Sequence, residues 1–172
     1  MVILETERLV FRSHEPDDEE PFVAMQMDPC VRRFVGGGPW TEERARARFQ
    51  SEYLGRPTGH DGLWATVLKE GKAYIGHCGV CAREEPSEVR LAYYIAQPNW
   101  NRGYATEASR GFVGLAFQEL GFEKVVADVE VGNGASLAVL GRLGFALWRS
   151  EEVRGRVLHA YELTRKGWGT GA

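Results

Sequence analysis

The sequence predicts a mixed α+β fold in which helices flank one sheet. The chain has 172 residues, a length that suits one domain with its own hydrophobic core. Apolar residues follow the period of a strand in several short runs and the period of a helix in others. These runs occur as strands, then as a strand–helix–strand–helix unit, then as strands again. We therefore expect one domain over residues 1–172.

The N-terminal third contains one predicted strand and two predicted helices. Glu5–Arg12 alternates loosely and predicts a first strand, and Asp17–Met27 has the acidic start that a helix favours. Gly36–Pro39 interrupts the chain. Thr41 then caps a helix that runs to about residue 53, and a loop is expected over Gly55–Gly62.

The central part predicts an antiparallel meander followed by a long helix. The three strand-like runs are Leu63–Lys69, Lys72–Ala82 and Glu88–Ala96, and short turns join them. Apolar residues at helical spacing then predict a helix over Tyr104–Leu120, which Gly121 ends.

The C-terminal part predicts a strand over Lys124–Val131, a helix over Ala135–Leu143, and two strands over Phe145–Val153 and Arg156–Thr164. A helical crossover between two strands of one sheet makes them parallel. The long central helix should therefore join a parallel pair within a sheet of about seven strands.

Composition argues against two classes of partner. The formal net charge is −3, so the chain lacks the basic excess typical of nucleic-acid binders. No apolar run approaches the roughly 20 residues that cross a membrane. Met1–Arg12 includes acidic side chains and no signal-peptide cleavage site. We expect a cytoplasmic protein with no direct nucleic-acid or membrane partner.

Cys78 and Cys81 form a C-x-x-C sequence, which could indicate a redox or zinc site. We expect neither. The two residues lie on a predicted strand, where positions three apart point to opposite faces. A structural zinc site also needs four ligands, and the sequence has no second cysteine pair.

The segment between the third meander strand and the long helix has the form of an anion site. Asn101, Arg102 and Gly103 precede the predicted first helical turn, whose N–H groups have no partner inside a helix. The segment lacks the Gly-Lys-Ser/Thr of nucleotide hydrolases. An ordinary strand–helix connection remains the alternative interpretation.

Trp100–Glu107, preceded by Tyr93-Tyr94-Ile95, resembles the acetyl-CoA loop of the GNAT superfamily of N-acetyltransferases. The resemblance is closest to its RimJ/RimL branch. Leu4–Leu9 is similar to the opening strand of that branch, and Asn133–Ser136 to its second cofactor-binding segment. This resemblance implies a mostly antiparallel, twisted sheet with a central parallel pair that splays apart.

The resemblance also implies a site for acetyl-CoA as co-substrate, without a metal. The strand end Tyr94-Ile95 should pair with the pantetheine arm, and Asn133 and Ser136 should lie beside the pantetheine and the sulfur. Backbone N–H groups should hold the pyrophosphate at Asn101, Arg102, Gly103, Tyr104, Ala105 and Thr106.

The usual acid and base of the family are both replaced. Arg90 stands where many relatives carry a glutamate, and Glu88, two residues earlier on the same strand face, is the substitute candidate for the base. A solvated strand-end carboxylate is the alternative. Leu140 stands where many relatives carry a tyrosine that acts as general acid. Ser136 is then the candidate that assists the departing thiolate, unless it only caps its helix or binds cofactor.

The expected activity is therefore transfer of an acetyl group from acetyl-CoA to a primary amine by direct attack in a ternary complex. The amine could belong to a protein N-terminus or to a small molecule. A non-catalytic protein that binds or senses CoA is the alternative function. Analogy with the family also favours a homodimer.

Overall fold

The computed structural model of the chain describes residues 1–55, 60–153 and 155–169. It contains one eight-stranded sheet with the strand order β1-β2-β3-β4-β5-β6-β8-β7. The loop predicted over Gly55–Gly62 lies partly outside the described residues, and Gly62 already belongs to β3. The strands are β1 Val2–Glu5, β2 Leu9–Arg12, β3 Gly62–Leu68, β4 Tyr74–Ala82, β5 Glu88–Ile95, β6 Lys124–Glu130, β7 Ala146–Val153 and β8 Arg156–Thr164.

Two helix ends lie where the local sequence predicts them, the start of α3 and the end of α5. The Thr41 side chain accepts a hydrogen bond from the Arg44 N–H at 3.3 Å and so caps α3. Gly144 takes the left-handed conformation that ends α5. The helices are α1 Glu19–Met27, α2 Pro29–Arg32, α3 Glu42–Arg48 with a π-helical turn Phe49–Tyr53, α4 Tyr104–Gln118, α5 Gly134–Leu143 and α6 Arg165–Trp168.

The sheet is antiparallel except at β5 and β6, whose parallel pairing confirms the predicted crossover through α4. This pairing covers only the rungs from Glu88 opposite Lys124 to Arg90 opposite Val126. Beyond Arg90 and Val126 the two strands diverge, and we call this gap the splay. Its closed end lies at Glu88 and its open end at Ile95.

Two groups of apolar side chains cover the two faces of the sheet. The larger group includes Phe112 of α4 and Leu140 of α5, and the smaller one includes Phe22 of α1 and Ala45 of α3. We call these sides the α4/α5 face and the α1/α3 face. The splay therefore opens between two differently built surfaces.

The sheet has one strand more than predicted because the segment expected as a first strand is a hairpin. The Thr6 N–H donates to the Leu9 carbonyl at 3.0 Å, so β1 and β2 pair antiparallel across a tight turn. The turn residues Thr6-Glu7-Arg8 include no Gly, Pro or Asn, which usually mark such a reversal. The four-residue helices α2 and α6 were not predicted either.

Candidate active site

The turn between β5 and α4 has the backbone geometry of an anion site. Asn101 and Gly103 take positive φ angles of 59° and 81°, and Gly103 is the N-cap of α4. The Glu107 N–H bonds the Gly103 carbonyl at 3.0 Å, so the helical ladder starts there. The N–H groups of residues 104–106 precede that bond and have no acceptor within the helix. The predicted helix start at Tyr104 is thus confirmed.

Glu107 ties this turn to the β1–β2 hairpin. Its carboxylate accepts hydrogen bonds from the Thr6 hydroxyl at 2.7 Å, the Arg8 N–H at 2.8 Å and the Arg8 Nε at 2.7 Å. Arg8 also donates to the Arg102 carbonyl at 3.0 Å, and its guanidinium lies 4.6 Å from the Tyr104 ring centroid. Burial alone would raise the pKa of Glu107, but these hydrogen bonds lower it overall. The sequence analysis did not predict these contacts between the hairpin and Glu107.

The splay leaves backbone groups of β5 facing a gap. The Ala96 N–H bonds the Ile75 carbonyl at 2.8 Å, and hydrogen-bonded pairs alternate along an antiparallel ladder. Tyr94 therefore directs its backbone groups to β4, whereas Tyr93 and Ile95 direct theirs to the splay. The Ile95 carbonyl accepts from the indole N–H of Trp100 at 2.6 Å. This edge of β5 can pair with an extended chain.

On the α4/α5 face, the N-terminus of α5 meets β5. The Asn133 side chain accepts from the Ser136 N–H at 3.1 Å and caps the helix. The Ser136 hydroxyl lies 2.6 Å from the Tyr93 hydroxyl, so the two side chains join α5 to β5. Burial raises the pKa of Tyr93 to about 12, against a lowering effect of this hydrogen bond. Leu140 is 1% exposed in the core.

On the α1/α3 face, Glu88 lies at the closed end of the splay. Its carboxylate forms a close ion pair with Lys124 and lies 3.7 Å from the Arg83 Nε. The hydrogen bond with Glu88 raises the pKa of Lys124. Arg90 pairs with Asp128 at 3.0 Å. Because Glu88 is only 9% exposed, the alternative of a solvated carboxylate does not describe it.

The predicted site residues fall into two places. The turn 101–106, the strand end Tyr94-Ile95, and Asn133 with Ser136 surround the open end of the splay. Glu88 lies seven residues before Ile95 on β5, a separation of roughly 23 Å along a strand. Sequence reasoning did not include Tyr93 among the site residues. Alternation along a strand places Tyr93 and Tyr94 on opposite faces, so at most one of them could face the site.

The two cysteines of the C-x-x-C sequence lie on opposite faces of β4, as alternation along a strand predicts. Cys78 is fully buried, opposite Tyr93, and Cys81 is half-buried, opposite Arg90 on the other face. Among residues 1–55, 60–153 and 155–169, no cluster of three or more His, Cys, Asp or Glu side chains could hold a metal. Within the same residues, no helix is both long and apolar enough to span a membrane.

Comparison with known proteins points to one family. The family model described as an acetyltransferase (GNAT) domain matches residues 8–146. An uncharacterized N-acetyltransferase, p20 of Bacillus licheniformis, is 28% identical over 94% of this chain and 94% of its own length. The FsC-acetyl coenzyme A-N(2)-transacetylase of Aspergillus fumigatus is 29% identical over 82% of this chain and 63% of its own.

A solved structure described as an acetyltransferase of the GNAT family from Bacillus anthracis superposes with a TM-score of 0.85. It covers 96% of this chain and 99% of its own, at 20% sequence identity. At that identity, the superposition supports the fold.

Proposed function

The chain belongs to the GNAT acetyltransferase family and is an acyltransferase, and on this premise we propose that it acetylates a primary amine of a protein N-terminus or a small molecule. Membership implies acetyl-CoA as the donor. We also assign the chain to the RimJ/RimL-like branch, because Leu4–Leu9, Trp100–Glu107 and Asn133–Ser136 resemble segments of that branch.

One observation carries the proposal: a splayed strand pair ends beside an open helix N-terminus. The unpaired N–H groups at the start of α4, with the left-handed Gly103, suit a pyrophosphate. The free edge of β5 at Tyr93 and Ile95 suits the amides of a pantetheine arm, which can pair with it as a strand would. The two features adjoin, so one elongated ligand could occupy both.

The residues proposed to bind acetyl-CoA divide by the part of the ligand they contact. The backbone of residues 101–106 would hold the pyrophosphate, and the β5 end at Tyr94-Ile95 would hold the pantetheine. At that end the Ile95 N–H faces the splay, whereas the backbone groups of Tyr94 pair with β4. Asn133 and Ser136 would lie near the sulfur. The residues in the pyrophosphate set are Asn101, Arg102, Gly103, Tyr104, Ala105 and Thr106.

Acetyl transfer requires a neutral amine held against the thioester carbonyl. A peptide α-amine has a pKa of about 8 and is partly neutral at pH 7, whereas a lysine side chain, at about 10.4, needs more help. A β5 backbone N–H that faces the splay would stabilise the oxyanion formed during attack. Ser136 is proposed to assist the thiolate that leaves.

Glu88 is the proposed base, and its ion pair with Lys124 sets a condition on that role. Lys124 contacts the Glu88 carboxylate, and Glu88 lies roughly 23 Å along β5 from Ile95. For Glu88 to act as base, Lys124 must move away and water must carry the proton to the carboxylate. Turnover in Glu88→Gln that equals turnover of the native protein would exclude this assignment.

Two observations bear on the acceptor, and they favour different amines. The A. fumigatus relative is named as a transacetylase acting at an N(2) position, which favours a small amine. The RimJ/RimL-like segments favour a protein N-terminus.

We propose a single acetyl-CoA-dependent domain over residues 1–172, cytoplasmic and metal-independent, with a homodimer as the assembly.

The test is release of free thiol from acetyl-CoA in the presence of a panel of amines. The panel contains peptides with free N-termini, aminoglycosides, polyamines and amino-acid analogues, and each peptide has an N-terminally blocked counterpart as control. We expect thiol release with at least one free amine and none with its blocked form. A protein that binds acetyl-CoA but releases no thiol with any amine would contradict the proposal.

A further inference from the structure

The leaving sulfur needs a partner that Leu140 cannot supply. The Leu140 side chain is apolar and 1% exposed among core residues, so no proton donor stands at this position. Near the start of α5, the hydroxyls of Ser136 and Tyr93 meet on the α4/α5 face, and the Asn133 side chain is already engaged by the Ser136 N–H. The placement of the two hydroxyls across the splay indicates how the chain replaces the missing tyrosine.

Tyr93 and Ser136 come from the two sides of the splay: Tyr93 lies on β5, and Ser136 lies on α5, the helix that follows β6. Tyr93 lies three residues beyond Arg90, the last residue of β5 that pairs with β6. Ser136 lies in the first turn of α5, where Asn133 fixes its N–H at 3.1 Å. The 2.6 Å contact between the hydroxyls therefore joins β5 to α5 at the open end of the splay.

We propose that Tyr93 is a positioning residue for acetyl transfer: its phenol orients the Ser136 hydroxyl toward the departing CoA sulfur, and the pair replaces the tyrosine missing at Leu140. This inference rests on the proposed function. It adds a residue and a direction of hydrogen bonding to the role of Ser136.

The 2.6 Å contact allows either hydroxyl to donate, and the Tyr93 hydroxyl also lies 3.4 Å from the Ser136 carbonyl. The proposed role requires one direction. If the Tyr93 O–H donates to Ser136 Oγ, the serine proton stays free to donate to the sulfur. When the C–S bond breaks, its electron pair goes to the sulfur, and the serine O–H stabilises the thiolate by a hydrogen bond. The amine loses its proton through water to the proposed base Glu88, and water protonates the released thiolate. Burial keeps the phenol protonated at neutral pH, because its pKa rises to about 12.

The first test separates kcat from KM in Tyr93→Phe, which keeps the ring and removes the hydroxyl. We expect kcat to fall about tenfold or more while KM for acetyl-CoA changes little. The matched control is Tyr161→Phe, because Tyr161 packs against the same core from β8, a strand that does not border the splay. Equal kcat values in the two variants would overturn the inference.

A double-mutant cycle tests whether the two hydroxyls act as a unit. We expect Ser136→Ala to lower kcat, and the double variant Tyr93→Phe, Ser136→Ala to be little slower than Ser136→Ala alone. Fully additive losses would contradict a positioning role. Thermal unfolding of each variant shows whether it is folded.

The second test needs no turnover. Ultraviolet absorbance of the thiolate reports the titration of CoA bound to each protein. We expect bound CoA to form thiolate at lower pH in the native protein and Tyr161→Phe than in Tyr93→Phe. Identical titration curves would overturn the inference even if all variants are active. Failure of native protein to bind CoA or release thiol would instead contradict the proposed function.

Discussion

At the scale of single residues, His14 and His77 form a buried pair that packs against Phe22 of α1. Their ring centroids are 6.0 Å apart, and the two residues are 4% and 1% exposed. Burial lowers the pKa of His14 to about 4; the charge of Asp18 opposes this shift, and the charge of Arg12 adds to it. Burial also lowers the pKa of His77 well below its usual value. Both rings are therefore neutral in the folded protein near pH 7.

This burial predicts a loss of stability in mild acid. Between pH 6.5 and about 4 the unfolded chain binds a proton at His14 that the folded chain excludes, so the free energy of unfolding falls as pH falls through this window. From about pH 7.5 to about pH 5, His14 alone should cost roughly 2 kcal/mol. Urea unfolding at the two pH values measures it.

The controls for acid sensitivity are two histidine variants. His14→Gln should lose less stability over the same interval than the native protein. His159→Gln removes a half-buried histidine of β8 and should lose as much as the native protein. An unchanged loss in His14→Gln would show that other groups cause the acid sensitivity.

Residue-level departures from the family were readable in the sequence, but contacts were not. Arg90 and Leu140 lie close to motifs that align with the family pattern, so each departure is visible as one residue in the sequence. The contact of Tyr93 with Ser136 joins residues 43 apart, and that of Arg8 with Glu107 joins residues 99 apart. Such pairs depend on how strands and helices come together, which periodicity does not specify.

At the scale of elements, α4 is held at its N-terminus by the β1–β2 hairpin. Glu107 lies in its first turn, where a carboxylate is expected to interact with the helix dipole. Its hydrogen bonds from Thr6 and Arg8 add a second role, because they fix the hairpin against the turn that carries Gly103. The position of the anion site therefore depends on residues far from it in sequence.

Replacing Glu107 with Gln should loosen this turn. The amide keeps the shape but loses the ion pair with Arg8, so we expect KM for acetyl-CoA to rise several-fold and stability to fall by about 1 kcal/mol. Steady-state kinetics and urea unfolding measure the two effects. Glu119→Gln, an exposed change at the other end of α4, should alter neither quantity. An unchanged KM in Glu107→Gln would show that the contacts of Glu107 with the hairpin do not position the anion site.

Long periodic elements were predicted well and short ones were not. The helix predicted over Tyr104–Leu120 is observed as Tyr104–Gln118, because seventeen residues give a clear period. The β1–β2 hairpin has strands of only four residues each, too few for a pattern to separate them. Pairing with β3 and packing against α4 stabilise it instead.

At the scale of the whole molecule, the sheet consists of two parts joined by few rungs. β1 to β5 form one part and β6, β8 and β7 the other, and three residues of each strand connect them. Contacts between α4 and α5 also link the two parts. A ligand in the splay would touch both, so binding should stabilise the entire chain.

Acetyl-CoA should therefore raise the melting temperature. At a free concentration of about 100 times Kd, linkage predicts about 2.7 kcal/mol of added stability. Differential scanning calorimetry measures the shift. Pantetheine, which lacks the pyrophosphate, should stabilise less at the same concentration. Equal stabilisation by the two ligands would contradict binding at the turn before α4.

The splay also gives the sheet an edge in its interior. Edge strands expose unpaired amides that recruit other chains and promote aggregation, so proteins usually shorten, charge or cover them. Here the backbone N–H groups of Tyr93 and Ile95 face the splay, between two strands that remain paired at its closed end. A second protein strand could reach them only from the open end, so we expect this edge to recruit other chains less readily than an outer edge strand would.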